Sequence, residues 1–133
     1  MIFDTDIFIW AQRGNIKAVK LLDKEDEKCL SVQTYMELLQ NAKNKTQHKY
    51  TKNFLTTFGF IVLPLTENIG HRASIYVEEY TLSSSLGSGD AIIAATAVEN
   101  NMILASSNVK YFKVIKELQL KAFNPSRPES LRE

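Results

Sequence analysis

The sequence is poor in cysteine, in long apolar runs and in net charge, and each shortage excludes a class of protein. Cys29 is the single cysteine, so the chain cannot form an internal disulfide, and its surroundings suit a small buried side chain. Apolar runs stay well below the roughly 18 residues that a membrane span requires. The N-terminus also lacks the pattern of a signal peptide. We therefore expect a cytoplasmic protein that does not bind a membrane.

A net charge of only +1 argues against a protein whose whole surface binds nucleic acid. Charge is nevertheless uneven along the chain, because lysines cluster in two stretches, namely Lys43, Lys45, Lys49 and Lys52, and then Lys110, Lys113 and Lys116. Each stretch either contacts phosphates or forms a solvated helix face, and the sequence alone favours the solvated face.

Length and composition predict one globular domain. Hydrophobic residues make up 44% and charged residues 23% of the chain, which is typical of a globular protein. A length of 133 residues fits a single domain over residues 1–133. Residues 124–133 are polar and contain proline, so we predict an extended tail there.

Short apolar stretches alternate with amphipathic ones. We predict strands in "MIFDT", "KCLS", "FIVLPL" and "MILAS", with a last edge strand in "KAF". Helices are predicted between them, including one that Ser31 caps and that continues to Gly59, with a loop at "SSSLGSG". This alternation predicts an α/β fold with three layers, α/β/α, around a mostly parallel sheet of four or five strands.

Acidic residues stand where the predicted fold would partly bury them. Asp4 and Asp6 follow the first strand, and Asp90 begins the almost wholly apolar helix "DAIIAATAVENN". Polar residues that follow the fourth strand would lie at the same edge of the sheet, and these are Ser106, Ser107 and Asn108. Clustered carboxylates without a basic partner are what a divalent cation such as Mg²⁺ or Mn²⁺ requires.

Each acidic residue also has a purely structural interpretation. Acids are common in the first helical turn, where the helix dipole favours them, and this alone would explain Asp90. Asp4 would serve as a turn residue that ends its strand, although Asp6 fits that role better. Periodicity predicts that Glu37 is solvated, because it lies opposite the apolar positions Val32, Tyr35, Met36 and Leu39.

Three motifs occur in order along the chain: "FDTDIFIW", "SVQTYMELLQ" and "LGSGDAIIAATAVENNMILASSNVKYF". Together they resemble the PIN domain, most closely the VapC-like ribonuclease toxins of bacterial and archaeal toxin–antitoxin pairs. The resemblance extends from Met1 to about Phe123. Its most specific parts are a strand that ends in Asp-Thr, a Glu inside the following helix, and Asp-Ala-Ile-Ile-Ala-Ala-Thr-Ala.

The resemblance implies a PIN-like α/β/α fold and a metal-dependent endoribonuclease. On the family's pattern the catalytic acids are Asp4, Glu37 and Asp90, which would hold Mg²⁺ or Mn²⁺. The ion would lower the pKa of water for attack on single-stranded RNA, leaving a 5′-phosphate and a 3′-hydroxyl. Asp6 and Asn108 are weaker candidates for contact with the metal.

Other motif residues are expected to support these acids. Thr5 follows the first acid, and Ser106 and Asn108 match the Thr and Asn of the motif after the fourth strand. Tyr111 replaces the second Asp usual in that motif, so a second cation is expected to bind loosely or only with substrate. The basic residues proposed as RNA contacts are Lys43, Lys45 and Lys110.

The resemblance also implies protein partners. VapC-like proteins form homodimers and are silenced by a small antitoxin. The apolar helices between Gly14 and Phe60 are candidates for both contacts.

Two other functions remain open from the sequence. "DTD" after a strand also resembles haloacid dehalogenase-type phosphatases, but those continue with Gly-Thr where Ile7 and Phe8 stand here. A PIN-like module without catalysis, serving only to bind a partner, is the second alternative, and Tyr111 supports it. Retention of all three acids argues against it, because an acid buried without a metal destabilises the fold.

Overall fold

The computed structural model of the protein describes residues 1–125. Its strands are β1 (Ile2–Phe3), β2 (Cys29–Ser31), β3 (Ile61–Leu63), β4 (Leu104–Ser106) and β5 (Leu120–Ala122). Its helices are α1 (Thr5–Gln12), α2 (Ile16–Lys24), α3 (Val32–Asn41), α4 (Lys45–Thr57), α5 (Glu67–Ser84), α6 (Ser88–Glu99) and α7 (Val109–Phe112).

All five strands of this part of the chain are parallel and lie in the order β3-β2-β1-β4-β5. The chain moves outward from β1 to β3 and then crosses to β4 on the other side of β1. The direction of winding therefore reverses between β1 and β4, where ligand sites of open α/β sheets usually lie. In register, Ile2 pairs with Leu104 and Phe3 with Ala105.

Helices cover both faces of the sheet, because successive strand residues point to opposite sides. Ile2 and Leu104 face a core formed with α5, α6 and α7, here called the α5–α6 core. Phe3 and Ala105 face a second core formed with α1 to α4, here called the α1–α4 core. The three-layer α/β/α prediction with a parallel sheet is thus confirmed.

The segment after β1 is a helix, α1, that the sequence patterns did not predict. Its apolar residues form a continuous run from Ile7 to Trp10 and so show no helical periodicity. Ile7 and Phe8 are buried in the α1–α4 core. Asp4 caps this helix by accepting a hydrogen bond from the Thr5 N–H, at 2.8 Å.

Other boundaries also differ from the predictions. Ser31 caps α3 as predicted, but the helix ends at Asn41, and a separate helix, α4, begins after the cap Asn44. The predicted loop "SSSLGSG" is shorter, since α5 extends to Ser84 and α6 begins at Ser88. Of the helix predicted in "YFKVIKELQL", only the first two residues are helical, as the end of α7.

Of the predicted tail at residues 124–133, the described part is short. The Asn124 and Pro125 carbonyls accept hydrogen bonds from Lys17 Nζ and Asn15 Nδ2, at 2.7 and 2.9 Å. Residues 126–133 lie outside the described residues. Within residues 1–125, no helix combines the length and apolar character needed to cross a bilayer.

Phe8 joins α1 to the sheet and provides a test of this packing. It is 2% exposed, and its ring centroid lies 6.2 Å from that of Phe3 and 5.2 Å from that of Phe60. Phe8→Ala should lower the free energy of unfolding by about 3–5 kcal/mol, because it leaves a cavity in the core. Urea denaturation measures the change. Phe58→Ala is the matched control: Phe58 is 44% exposed, so its loss leaves no enclosed cavity and should cost less, about 2 kcal/mol. Equal losses would contradict the packing.

Candidate active site

A cavity of about 470 Å³ lies at the carboxyl ends of β1 and β4. Four carboxylates and no Lys, Arg or His are among the described residues that line it: Asp4, Thr5, Asp6, Ile9, Glu37, Gln40, Asn41, Asp90 and Asn108. The four acids come from three segments of the chain and meet because the start of α1, the helix α3 and the start of α6 converge at this edge. The arrangement concentrates negative charge in one pocket.

Asp4 is the most buried of these acids, with 3% of its surface exposed. Its Oδ1 caps α1, and its Oδ2 accepts a hydrogen bond from Ser106 Oγ at 2.7 Å and lies 3.5 Å from Asn108 Nδ2. Burial, followed by the charge of Asp6, raises the pKa of the Asp4 carboxyl from 3.8 to about 7. The hydrogen bonds from Ser106 and Thr5 act in the opposite direction. The turn role considered for Asp4 is therefore real, but it occupies only one of the two oxygens.

Asp6 lies in the first turn of α1 and is tied to the end of β4. Its Oδ2 accepts hydrogen bonds from the backbone N–H of Ser107, at 2.9 Å, and from the Ser107 hydroxyl. Its Oδ1 is buried and has no hydrogen-bond partner in the described residues. An unpaired buried oxygen beside two other acids is a suitable ligand for a cation.

Glu37 contributes to the cavity from α3, so the prediction that it is solvated is wrong. Its Oε1 accepts a hydrogen bond from Thr5 Oγ1, and its Oε2 accepts one from Gln33 Nε2 at 3.2 Å. The buried positions of α3 are Thr34 and Leu38, whereas Met36 is half exposed. Periodicity failed here because Tyr35 and Leu39 are only partly buried, and the polar Thr34 faces the core.

Asp90 enters from the first turn of α6 and is half-buried. Its carboxylate accepts a hydrogen bond from the backbone N–H of Gly87, the cap residue of that helix. Burial raises the pKa of Asp90 above its usual value, and the charges of Glu37 and Asp6 raise it further, whereas the Gly87 bond lowers it. Asp90 therefore has the position at the start of α6 that the structural interpretation predicts, and it also adds a carboxylate to the acidic cavity.

The lining residues fit a hard divalent cation by the chemistry of their donors. Apart from Ile9, every lining side chain carries an oxygen atom, no basic side chain of the lining competes for these oxygens, and Asp6 Oδ1 has no hydrogen-bond partner in the described residues. Within residues 1–125, no three His, Cys, Asp or Glu side chains already have the spacing that would enclose an ion. Magnesium usually retains several waters and binds only one or two carboxylates directly, and the cavity has room for such a hydrated ion.

Some residues discussed in the sequence analysis lie outside the cavity lining, and some lining residues were not singled out there. Tyr111 packs against the α5–α6 core and does not line the cavity. Lys43, Lys45 and Lys110 also lie outside the lining, whereas the sequence missed Ile9, Gln40 and Asn41. Gln40 follows Glu37 by one helical turn, so a signal for it existed once Glu37 was placed at the site.

The fold and the cavity together define an α/β protein with an acidic site at the switch point of a parallel sheet. The family model of the PIN domain matches residues 1–118, and the chain therefore belongs to the PIN domain family.

The chain is also similar to individual proteins and solved structures. It is 29% identical over 123 residues to Ribonuclease VapC10 of Mycobacterium tuberculosis, covering 90% of each chain. A toxin–antitoxin complex from Klebsiella pneumoniae contains a chain that is 29% identical, with a TM-score of 0.76 and coverage of 95% of this chain and 98% of that one. VapBC-1 from nontypeable Haemophilus influenzae gives 28% identity, a TM-score of 0.73, and coverage of 92% and 98%.

The raised pKa of Asp4 predicts how the stability of the metal-free protein depends on pH. Between 3.8 and about 7 the folded state binds more protons than the unfolded state, so the free energy of unfolding should rise as pH falls through about 7. The whole effect of this shift is on the order of 4 kcal/mol. Urea denaturation in EDTA from about pH 8 to pH 4 measures most of this change.

Asp4→Asn is the control for this pH effect. Asn caps helices as well as Asp does, so α1 should keep its cap while the titrating group is lost. The variant should have a flatter pH profile than the wild type. A profile that is equally steep in both proteins would contradict the assignment to Asp4.

Proposed function

We propose that this protein is a VapC-type toxin that acts as a divalent-metal-dependent endoribonuclease on single-stranded RNA. The observation that carries the proposal is the meeting of Asp4, Glu37 and Asp90 around one cavity in a chain of the PIN family. The chain is similar to a ribonuclease over 90% of that protein and to chains of two toxin–antitoxin complexes over 98% of each. These similarities support a ribonuclease activity.

The proposed metal ligands are Asp4, Glu37 and Asp90, with Asp6 as a further candidate and Asn108 as a weak one. Mg²⁺ or Mn²⁺ would lower the pKa of water and offset negative charge on the phosphate oxygens. The protein's own contribution is orientation of these groups. Thr5 donates a hydrogen bond to one oxygen of Glu37, and Ser106 donates one to an oxygen of Asp4. These hydrogen bonds fix the orientation of the two carboxylates.

We also propose an antitoxin protein and a second copy of this chain as partners. Four apolar side chains on α2, on α4 and at the C-terminal cap of α4 are about half exposed, and they are Ile16, Val19, Tyr50 and Phe58. They belong to the region between Gly14 and Phe60 in which the sequence predicted protein contacts. A cytoplasmic location and a single domain over residues 1–133 remain predictions.

The two alternative functions have weaker support. Membership of the PIN family leaves the haloacid dehalogenase-type phosphatase without a structural argument. The inactive binding module is opposed by the electrostatics of the cavity, since Asp4 and Asp90 both have raised pKa values and so destabilise the fold when ionised without a cation.

Removal of either buried acid tests the proposal. Asp90→Asn and Asp4→Asn should each reduce cleavage of single-stranded RNA in Mn²⁺ by more than roughly 100-fold, because a proposed metal ligand is lost. Both should raise the unfolding free energy in EDTA, because a carboxylate that opposes burial is removed. Glu37→Gln should have a milder effect on cleavage, since Glu37 is less buried.

The same preparations separate the alternatives. Wild-type protein that hydrolyses a generic phosphate monoester but not RNA would be a phosphatase. Protein that gives no heat of Mn²⁺ binding in calorimetry, or the same heat after both Asp→Asn changes, would be an inactive module. Cleavage that persists in Asp90→Asn would show that the cavity is not the active site.

Gly89 allows a test that leaves every acid in place. A Cβ at Gly89 would lie 3.2 Å from Glu37 Oε2 and 3.2 Å from Gln33 Nε2, so Gly89→Ala should displace the Glu37 carboxylate. Cleavage should fall by roughly 10- to 100-fold, because a small displacement of a catalytic group has a large effect. Stability should stay within about 1 kcal/mol, since the displaced atoms end flexible side chains.

Gly70→Ala is the matched control for Gly89→Ala. Gly70 is also helical, but a Cβ there would meet nothing within 4 Å. This variant should retain wild-type cleavage. Equal activity of the two variants would indicate that the position of Glu37 does not matter for the reaction.

A further inference from the structure

The acidic cavity does not by itself attract an RNA strand. Its described lining includes four carboxylates and no Lys or Arg. Affinity for nucleic acid comes largely from basic side chains that contact phosphates, and phosphates near unpaired carboxylates are repelled. A bound divalent cation would offset only part of this charge. The proposed function therefore requires a basic surface outside the cavity.

The chain separates charge sharply just after Glu37. Residues 38–66 contain no Asp or Glu, and their basic residues are Lys43, Lys45, Lys49 and Lys52. The whole chain has 16 basic and 15 acidic residues, so this segment departs strongly from the average. Such a block of one charge creates a local positive potential although the protein is nearly neutral.

Helix α4 arranges this charge on one face. Lys45, His48, Lys49, Lys52 and Asn53 line a concave surface of about 290 Å³, here called the α4 basic groove. All five side chains are exposed. The ion pairs found within residues 1–125 join Arg72 to Glu99 and Glu117, and none of them neutralises an α4 lysine.

The α4 basic groove is connected to the wall of the acidic cavity. His48 Nε2 donates a hydrogen bond to the Leu39 carbonyl, at 2.7 Å, which fixes the groove to the end of α3. The next two residues, Gln40 and Asn41, line the cavity. The turn between α3 and α4 is itself fixed, because Asn44 caps α4 and the Lys43 N–H donates to Gln47 Oε1. Along the chain, only residues 42–44 separate Asn41 of the cavity from Lys45 of the groove.

A second lysine cluster on α2 fits this role less well. Lys17, Lys20 and Lys24 line another surface depression, together with Lys121. Four acids occur within or just after α2, namely Asp23, Glu25, Asp26 and Glu27. They largely cancel the potential of the α2 lysines.

We propose that the α4 basic groove binds the phosphate backbone of the RNA substrate and leads the strand across the end of α3 into the acidic cavity. This assignment rests on the proposed ribonuclease function. The lysines of the groove would attract the phosphates of the RNA. In the acidic cavity, only a bound cation would reduce the repulsion between the phosphates and the carboxylates. Contact through phosphates makes the groove insensitive to base sequence.

Binding of a labelled single-stranded RNA, followed by fluorescence anisotropy over a series of salt concentrations, tests the groove. The parent is Asp90→Asn in Mg²⁺, so that bound RNA stays intact. Replacing Lys45, Lys49 and Lys52 together by Gln should reduce the slope of log K against log salt by about 2, since each phosphate contact on a single strand contributes about 0.7.

Two matched variants control for charge and for fold. Replacing Lys17, Lys20 and Lys24 by Gln removes the same charge from another helix and should change the slope by less than about 0.7, which is one contact. Replacing Lys45, Lys49 and Lys52 by Arg keeps the charge and should keep the parent slope.

The outcomes separate this assignment from the proposed function. Wild-type cleavage of RNA together with equal slopes for the two Gln variants would overturn the groove alone. Loss of antitoxin binding with unchanged RNA binding in the α4 Gln variant would show that the groove binds a protein partner. This result would also overturn the assignment of the groove to RNA. A protein that neither cleaves nor binds RNA would overturn the proposed function as well.

Discussion

The structure around the sheet switch point depends on one constraint, the cost of holding several carboxylates in a partly buried pocket. Burial of Asp4, close to Asp6 and Asp90, raises its pKa to about 7, so the folded state opposes ionisation of this group. The protein keeps the pocket by hydrogen bonding the individual oxygens. Ser106, Ser107 and Thr5 donate from the carboxyl end of β4 and the start of α1. A cation would satisfy the charge that these neutral donors leave.

The interactions that begin the helices also orient the acids. Asp4 ends β1 and caps α1 with one oxygen, which leaves the other directed toward β4. Asp90 accepts from the cap residue of α6, Gly87, and thereby fixes its position at the start of that helix. On α3, Ser31 caps the helix by binding the Thr34 N–H, and Thr34 Oγ1 lies 3.1 Å from Thr5 Oγ1, the donor to Glu37. Local backbone chemistry and site geometry are therefore one network.

Tyr111 stands where the resemblance to the PIN family implies a second Asp after the fourth strand, and the structure shows where this side chain and the neighbouring acid Asp6 lie. Tyr111 packs against the α5–α6 core, so its position contributes no ligand to the cavity. Asp6 instead supplies a fourth carboxylate from α1, with one oxygen fixed by Ser107 and the other unpaired. The acidic cavity and the α4 basic groove are joined along the chain by the turn between α3 and α4. This arrangement suits the proposed RNA substrate, which carries negative charge along its whole length.

The sequence by itself determined the order of the strands, the parallel three-layer fold, and the placement of Asp4 and Asp90 where the fold partly buries them, because apolar periodicity and acids in apolar surroundings are local signals. Periodicity left α1 unassigned, since a continuous apolar run has no period, and it placed Glu37 in solvent, although the resemblance to the PIN family named Glu37 as a catalytic acid. Only the tertiary structure brought Glu37 to the cavity, through Thr5 and the approach of Gly89 on α6. Ile9 and Asn41 acquire their positions from packing between distant segments, and no local pattern encodes that proximity.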